Sequence, residues 1–177
     1  MLTASLFVWT VITVTQAAAF PVTGYIPESS TTQGYDGDHF IGFTCPGGWT
    51  MHSIQCLHYN PQNMTWDEAK RHCESMGQGS LASVYDDMLA EEIHQELTHA
   101  GHQHGPVWVG GYKSPRNPSW SWSDYVGFNQ FADFCQGDSA HHENDCLQIV
   151  FDENESGCLD DRKCDMKLPS ICGMILI

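Results

Sequence analysis

Apolar residues recur at helical spacing in two stretches of the chain and alternate at strand spacing further on. Trp66, Ala69, Cys73 and Met76 fall on one face of a helix. In front of them Thr65 and Glu68 form a capping box, each side chain reaching a free backbone N–H of the other residue. Gly77 is a natural stop. A second helix is predicted from near Asp86, through Leu89, Ile93 and Leu97, to a stop before Gly101. After Pro106 the period changes. Val107-Trp108-Val109, Ser119 to Ser123 and Cys146 to Phe151 read as short strands. In the last of them Leu147, Ile149 and Phe151 alternate with Gln148 and Val150. Two early helices followed by strands and long Gly- and Asp-rich loops predict an α+β domain.

The ends of the chain read differently. Residues 1–19 lack Lys, Arg, Asp and Glu, run apolar from Leu6 to Val14, and finish in Ala17-Ala18-Ala19. That is the pattern of a secretory signal peptide with a small-residue cleavage site. It is too short, and too interrupted by Thr and Gln, for a bilayer span, so no membrane insertion is expected. Residues 20–44 are rich in Gly, Ser, Thr, Tyr and Pro without any period, and are expected to form a flexible arm. The folded domain is then 45–177, with Met174 to Ile177 as the frayed end of a final strand. It holds all eight cysteines: Cys45, Cys56, Cys73, Cys135, Cys146, Cys158, Cys164 and Cys172. An even count behind a signal implies four disulfides in a secreted, extracellular protein, and leaves their pairing open.

Charge narrows the choice of partner. The chain has 22 Asp and Glu against 7 Lys and Arg, a formal charge of -15. Such a surface repels nucleic acid and anionic lipid and attracts cations, although it also serves plain solubility. No Gly-x-Ser-x-Gly, His-Glu-x-x-His or phosphate-binding glycine loop occurs, so no enzyme is indicated. His99, His102, His104 and the pair His141-His142 could hold a transition metal, but exposed loop histidines are commoner. Asp152, Asn154, Ser156, Gly157 and Asp160 imitate the start of an EF-hand loop, but the twelfth position is Lys163 instead of Glu and no flanking helices are expected, which argues against that site. Asn63-Met64-Thr65 and Asn154-Glu155-Ser156 are N-glycosylation acceptors, expected to make the product a glycoprotein. Trp66, Trp108, Trp120 and Trp122 lie in helix or strand stretches, which marks them as core more than as sugar-stacking platforms.

Taken in order, Cys45-Pro46-Gly47-Gly48-Trp49, Cys56, Thr65-Trp66 leading a helix to Cys73, and Leu81-Ala82-Ser83 precede the second helix. Trp108-Val109-Gly110-Gly111, Trp120-Ser121-Trp122-Ser123-Asp124, Cys146, Cys164 and Leu168-Pro169-Ser170-Ile171-Cys172 follow it. This set resembles the C-type lectin-like domain over essentially the whole folded part. The Met-Leu-Thr start and the pair Cys135 and Cys158 are similar to the secreted fish lectins and type II antifreeze proteins of that family.

The resemblance implies two helices, two small antiparallel sheets and a long loop region. It also implies the pairs Cys45–Cys56, Cys73–Cys172, Cys146–Cys164 and Cys135–Cys158. Calcium in that family takes oxygens from a Gln-Pro-Asp or Glu-Pro-Asn triplet, a later Glu and a Trp-Asn-Asp triplet. The corresponding ligands here are Gln136, Asp138, Glu143, Asp160 and Asp161, and Gln136, Asp138, Glu143 and Asp160 would also contact a galactose-type sugar. Three departures stand out. Gly137 replaces the cis proline, Leu159 replaces the tryptophan, and Asp160 replaces an asparagine. A carboxylate at 160 has no donor for a sugar hydroxyl, which an amide would supply. The implied function is a secreted carbohydrate-binding lectin for extracellular recognition or innate defence, with a carbohydrate or glycoprotein ligand and possible calcium dependence. The alternatives are an ice-binding protein of the antifreeze type and a calcium-independent domain with a protein ligand. Against ice binding, the loop Ser139-Ala140-His141-His142 is bulky and lacks Thr.

Overall fold

The computed structural model describes residues 44–102, 104–124, 134–135, 145–151 and 157–176. All of them lie in the unit Ile41–Ile177. The expected signal and all but the last residue of the expected arm fall outside the described residues. The elements run β1 (Thr50–Met51), β2 (Gln55–Met64), α1 (Trp66–Ser75), β3 (Ser80–Leu81), α2 (Asp87–His99), β4 (Val107–Ser114), β5 (Asn117–Trp122), β6 (Cys146–Phe151), β7 (Gly157–Arg162) and β8 (Leu168–Ile175).

Both helices stand where their spacing and caps place them. Thr65 Oγ1 accepts from Glu68 N at 3.3 Å and Glu68 Oε2 accepts from Thr65 N at 3.0 Å, so the capping box is complete. Trp66, Ala69 and Cys73 form the buried face of α1, and Gly77 leaves the helix at φ +123°, a conformation that suits glycine. Asp86 caps α2 by accepting from Leu89 N at 2.9 Å, and Leu89, Ile93 and Leu97 are buried beneath it.

The strands fall into two antiparallel sets. In one, β2 pairs β1 and β8, and β3 pairs β8; in the other, β4 pairs β5 and β6, and β6 pairs β7. One parallel contact, Trp108 opposite Ser170, joins the two sets through β4 and β8. Trp108 is fully buried there, and its Nε1 donates to Met64 O at 2.9 Å. Trp66 is tied similarly, Nε1 to Val109 O at 2.8 Å. Trp122 is also buried and Trp120 half-buried against the core, so these tryptophans are structural.

Two of the longer strands, β2 and β7, carried too little period to be read beforehand. The long β2 contains Asn60 and Pro61, and its register with β8 shifts between Asn60 and Met64, where proline cannot join the ladder. The charged run Gly157–Arg162 forms β7 in unbroken register with β6. The last strand extends to Ile175, beyond the expected fraying point. Gln148 also departs from the simple alternation, since β6 lies between β4 and β7 and buries it.

The disulfides are Cys45–Cys56, Cys73–Cys172, Cys135–Cys158 and Cys146–Cys164, the pairing the resemblance implied. Cys73–Cys172 spans 99 positions. In the chain-entropy picture a loop of that length contributes about 4.7 kcal/mol.

Glu92 anchors α2 to the start of β2. Its Oε1 accepts from Ser53 N at 3.0 Å and from the Ser53 hydroxyl, and its Oε2 accepts from Gln55 Nε2 at 2.9 Å. Burial pushes the Glu92 carboxyl up, but the Ser53 hydroxyl, the Gln55 amide, the Ser53 N–H and nearby His52 outweigh it, leaving the group below the ordinary glutamate value. A carboxyl depressed on folding stabilises the protein above its unfolded pKa of about 4.3, and that contribution fades as pH falls through the folded value. Glu92→Gln is therefore expected to cost about 1–3 kcal/mol near neutral pH. Denaturant melts of both proteins at about pH 7 and about pH 3 should show the gap closing in acid; a gap that ignores pH would count against the carboxylate.

Candidate functional site

β6 and β7 form a regular antiparallel pair, from Cys146 opposite Arg162 to Phe151 opposite Gly157. Burial along β7 follows the pleat: Leu159 and Asp161 are buried, while Asp160 and Arg162 are half-exposed on the other face. Gln148 stands directly across from Asp160. Its Nε2 donates to Asp160 Oδ2 at 2.9 Å, and Arg162 Nη2 reaches the same oxygen at 2.8 Å. The result is a carboxylate held between an amide and a guanidinium, with the guanidinium side chain 42% exposed. Such a cluster presents both donors and acceptors to a hydroxyl-rich ligand.

Two cross-links secure this strand pair. Cys146–Cys164 joins the first residue of β6 to a position just past β7, and Cys135–Cys158 joins β7 to the segment carrying Phe134. Cys135 N donates to Leu159 O at 2.9 Å, and Phe134 pairs with Leu159 in parallel. Phe134 also lies 6.1 Å from Trp120, whose face receives Lys113 Nζ at 4.2 Å from the ring centre.

Of the five expected calcium ligands, the structure describes Asp160 and Asp161; Gln136, Asp138 and Glu143 lie outside the described residues. Carboxylate oxygens have the right hardness for calcium. Asp160, however, already meets a cation, and a metal ion at Oδ2 would have to displace both the guanidinium and the Gln148 amide. Asp161 is buried on the opposite side of β7. As these side chains stand, the described part of the set does not fit a calcium ion. Among the described residues no group of three His, Cys, Asp or Glu could hold a metal.

Gln148 and Arg162 are the site residues that sequence reasoning missed. The available signal was the spacing of two from Asp160 to Arg162, which shares a strand face, but Gln148 needed the cross-strand register. His102 has a structural role: its Nδ1 pairs with Tyr59 OH at 2.8 Å and its Nε2 with Gly105 O at 3.1 Å. His99 and His104 are exposed, and His141-His142 lies outside the described residues. Asn63 is exposed on β2, while Asn154 lies outside the described residues.

Comparison with known proteins agrees with this architecture. The pattern of the lectin C-type domain matches residues 62–174. The Type-2 ice-structuring protein of Brachyopsis segaliensis is 30% identical over 180 residues, covering 100% of both chains. The galactose-specific lectin nattectin of Thalassophryne nattereri is 30% identical over 86 residues, 49% of this chain and 54% of that one. Among solved structures, a calcium-independent type II antifreeze protein superposes with a TM-score of 0.64 at 29% identity, over 76% of this chain and 96% of that one. Fold, cross-links and sequence thus converge, and the chain belongs to the C-type lectin domain family.

Proposed function

We propose that the chain is a secreted lectin that binds carbohydrate at the exposed face of β6 and β7, with no calcium ion required at Asp160. The Gln148–Asp160–Arg162 cluster is the observation that favours this reading. Arg162 neutralises Asp160 and keeps N–H groups for sugar hydroxyls, which restores the donor that replacing asparagine removes. Gln136, Asp138 and Glu143, which follow Cys135 in the sequence, would complete the site, galactose-type as nattectin's name suggests for that relative. Residues 1–19 would direct export, and Asn63, exposed on β2, would accept glycan. Among the described residues no helix is long and apolar enough to cross a membrane.

Ice binding is the second reading, favoured by the full-length match to the ice-structuring protein. An ice-binding face needs regularly placed small groups, and unshaped ice crystals in the presence of the protein would dispose of it.

Retention of the fully disulfide-bonded protein on immobilised galactose tests the leading reading. It is expected both with calcium and with a chelator, and Arg162→Gln or Asp160→Ala should weaken it about tenfold, the scale of one charge-assisted hydrogen bond. Failure to bind would reject the sugar, and release by chelator would reject calcium independence. Thermal melting gives a separate check. Added calcium should leave the wild-type midpoint in place but raise that of Arg162→Gln, because only the variant offers Asp160 without a resident cation. Equal shifts in both would remove Arg162 from the account.

A further inference from the structure

From Val107 to Ser123 the chain contains Lys113 and Arg116 but no Asp or Glu, although acids outnumber cations 22 to 7 over its length. This stretch is the hairpin of β4 and β5. Lys70 and Arg162 each hold a carboxylate, whereas neither Lys113 nor Arg116 forms an ion pair among the described residues. Two cations on one acid-free hairpin keep their charge for an external anion.

Short-range bonds hold the hairpin in one shape. Ser114 pairs with Asn117 across the turn, and its Oγ accepts from Asn117 N at 3.1 Å. Asn117 Oδ1 accepts from Ser119 N, also at 3.1 Å. Pro115 in the turn and Pro118 just after it fix their own φ angles. Lys113 is positioned from the side. Its Nζ lies 4.2 Å from the centre of the Trp120 ring, which is backed by Phe134 and packs against the core. An ammonium over a ring keeps its charge and the N–H bonds that point away from the ring. Arg116 and Asn117 are exposed, and with Oδ1 engaged the Asn117 amide turns its Nδ2 donors outward.

The net charge of -15 does not cancel this local sign, because salt screens exposed charges beyond about 8 Å at physiological ionic strength. Asp145 is an acid beside the hairpin: its carbonyl accepts from Lys113 N at 2.8 Å, and the residue is exposed. Asp124 lies past the far end of β5, where Ser83 and Tyr85 donate to it.

We infer that the β4–β5 hairpin is a second binding site, for a saccharide bearing a sulfate or carboxylate group. Arg116 meets two oxygens of the oxyanion with its planar fork, Lys113 adds a second charge, and Asn117 donates to a neighbouring hydroxyl. The site is separate from the one on β6 and β7. Trp120 packs against the cluster that contains Leu159, while Asp160 and Arg162 stand on the other face of β7.

Calorimetric titration of the intact protein with a glucose sulfate ester, glucuronate, glucose and inorganic sulfate tests it. One or both of the anionic sugars should bind, and binding by only one would assign the sulfate or the carboxylate. Their affinity should fall as sodium chloride is added. Lys113→Gln and Arg116→Gln should each weaken binding about tenfold. Arg116 is exposed in the turn, so its variant keeps the test valid if the other unfolds. Arg162→Gln, an equal charge change on the β6–β7 face, should leave binding unaltered. No binding of either anionic sugar, equal binding of glucose, inorganic sulfate binding as tightly as the ester, or an equal loss in Arg162→Gln would overturn the proposal. Retention on galactose resin is read in parallel and stands or falls separately.

Discussion

A single lateral row of residues ties the core to the candidate site. Ser170 on β8 faces Trp108 on β4, Trp108 faces Gln148 on β6, and Gln148 faces Asp160 on β7. Opposed residues in a sheet project to the same side, so the buried indole of Trp108 neighbours the buried amide of Gln148. The amide in turn fixes the carboxylate at the edge. Because Trp108 also bonds to the end of β2, displacement of that ring would loosen the only parallel link described between the two strand sets. The site is therefore as rigid as the core behind it.

Legibility followed the length scale of each interaction. Both helices were readable because caps and apolar spacing are local: Thr65 with Glu68, and Asp86 ahead of Leu89, need no partner from elsewhere. β6 was readable from its own alternation. β2 was not, since Asn60 and Pro61 resemble a loop until β8 supplies a partner across a shifted register. The same holds at the site. Asp160 was found through family resemblance, whereas the use of its oxygen depends on Gln148 twelve positions earlier in the chain. Pairing across strands is invisible to any window of neighbouring residues.

The balance of charge gives the arrangement its meaning. With 7 Lys and Arg against 22 acids, few carboxylates can have a protein cation for a partner. Arg162 is placed on Asp160, and Lys70 on Glu74 one helical turn along α1. An exposed pair such as Asp160–Arg162 adds only about 0–1 kcal/mol to stability. Its value is positional: it fixes a guanidinium and a carboxylate side by side on the exposed face of β7.

Metal and sulfur can serve the same purpose in a loop-rich domain, because each reduces the freedom of segments that form little regular structure. Here Cys135–Cys158 and Cys146–Cys164 clamp the β6–β7 region from both sides. A covalent clamp holds at any calcium concentration, whereas a bound ion stabilises only as its occupancy allows. A guanidinium tethered two residues from the carboxylate behaves likewise, since its effective concentration is fixed by the strand. Substituting an internal cation and a fourth disulfide for a metal would thus cost the fold little. It would make the geometry at Asp160 independent of calcium concentration.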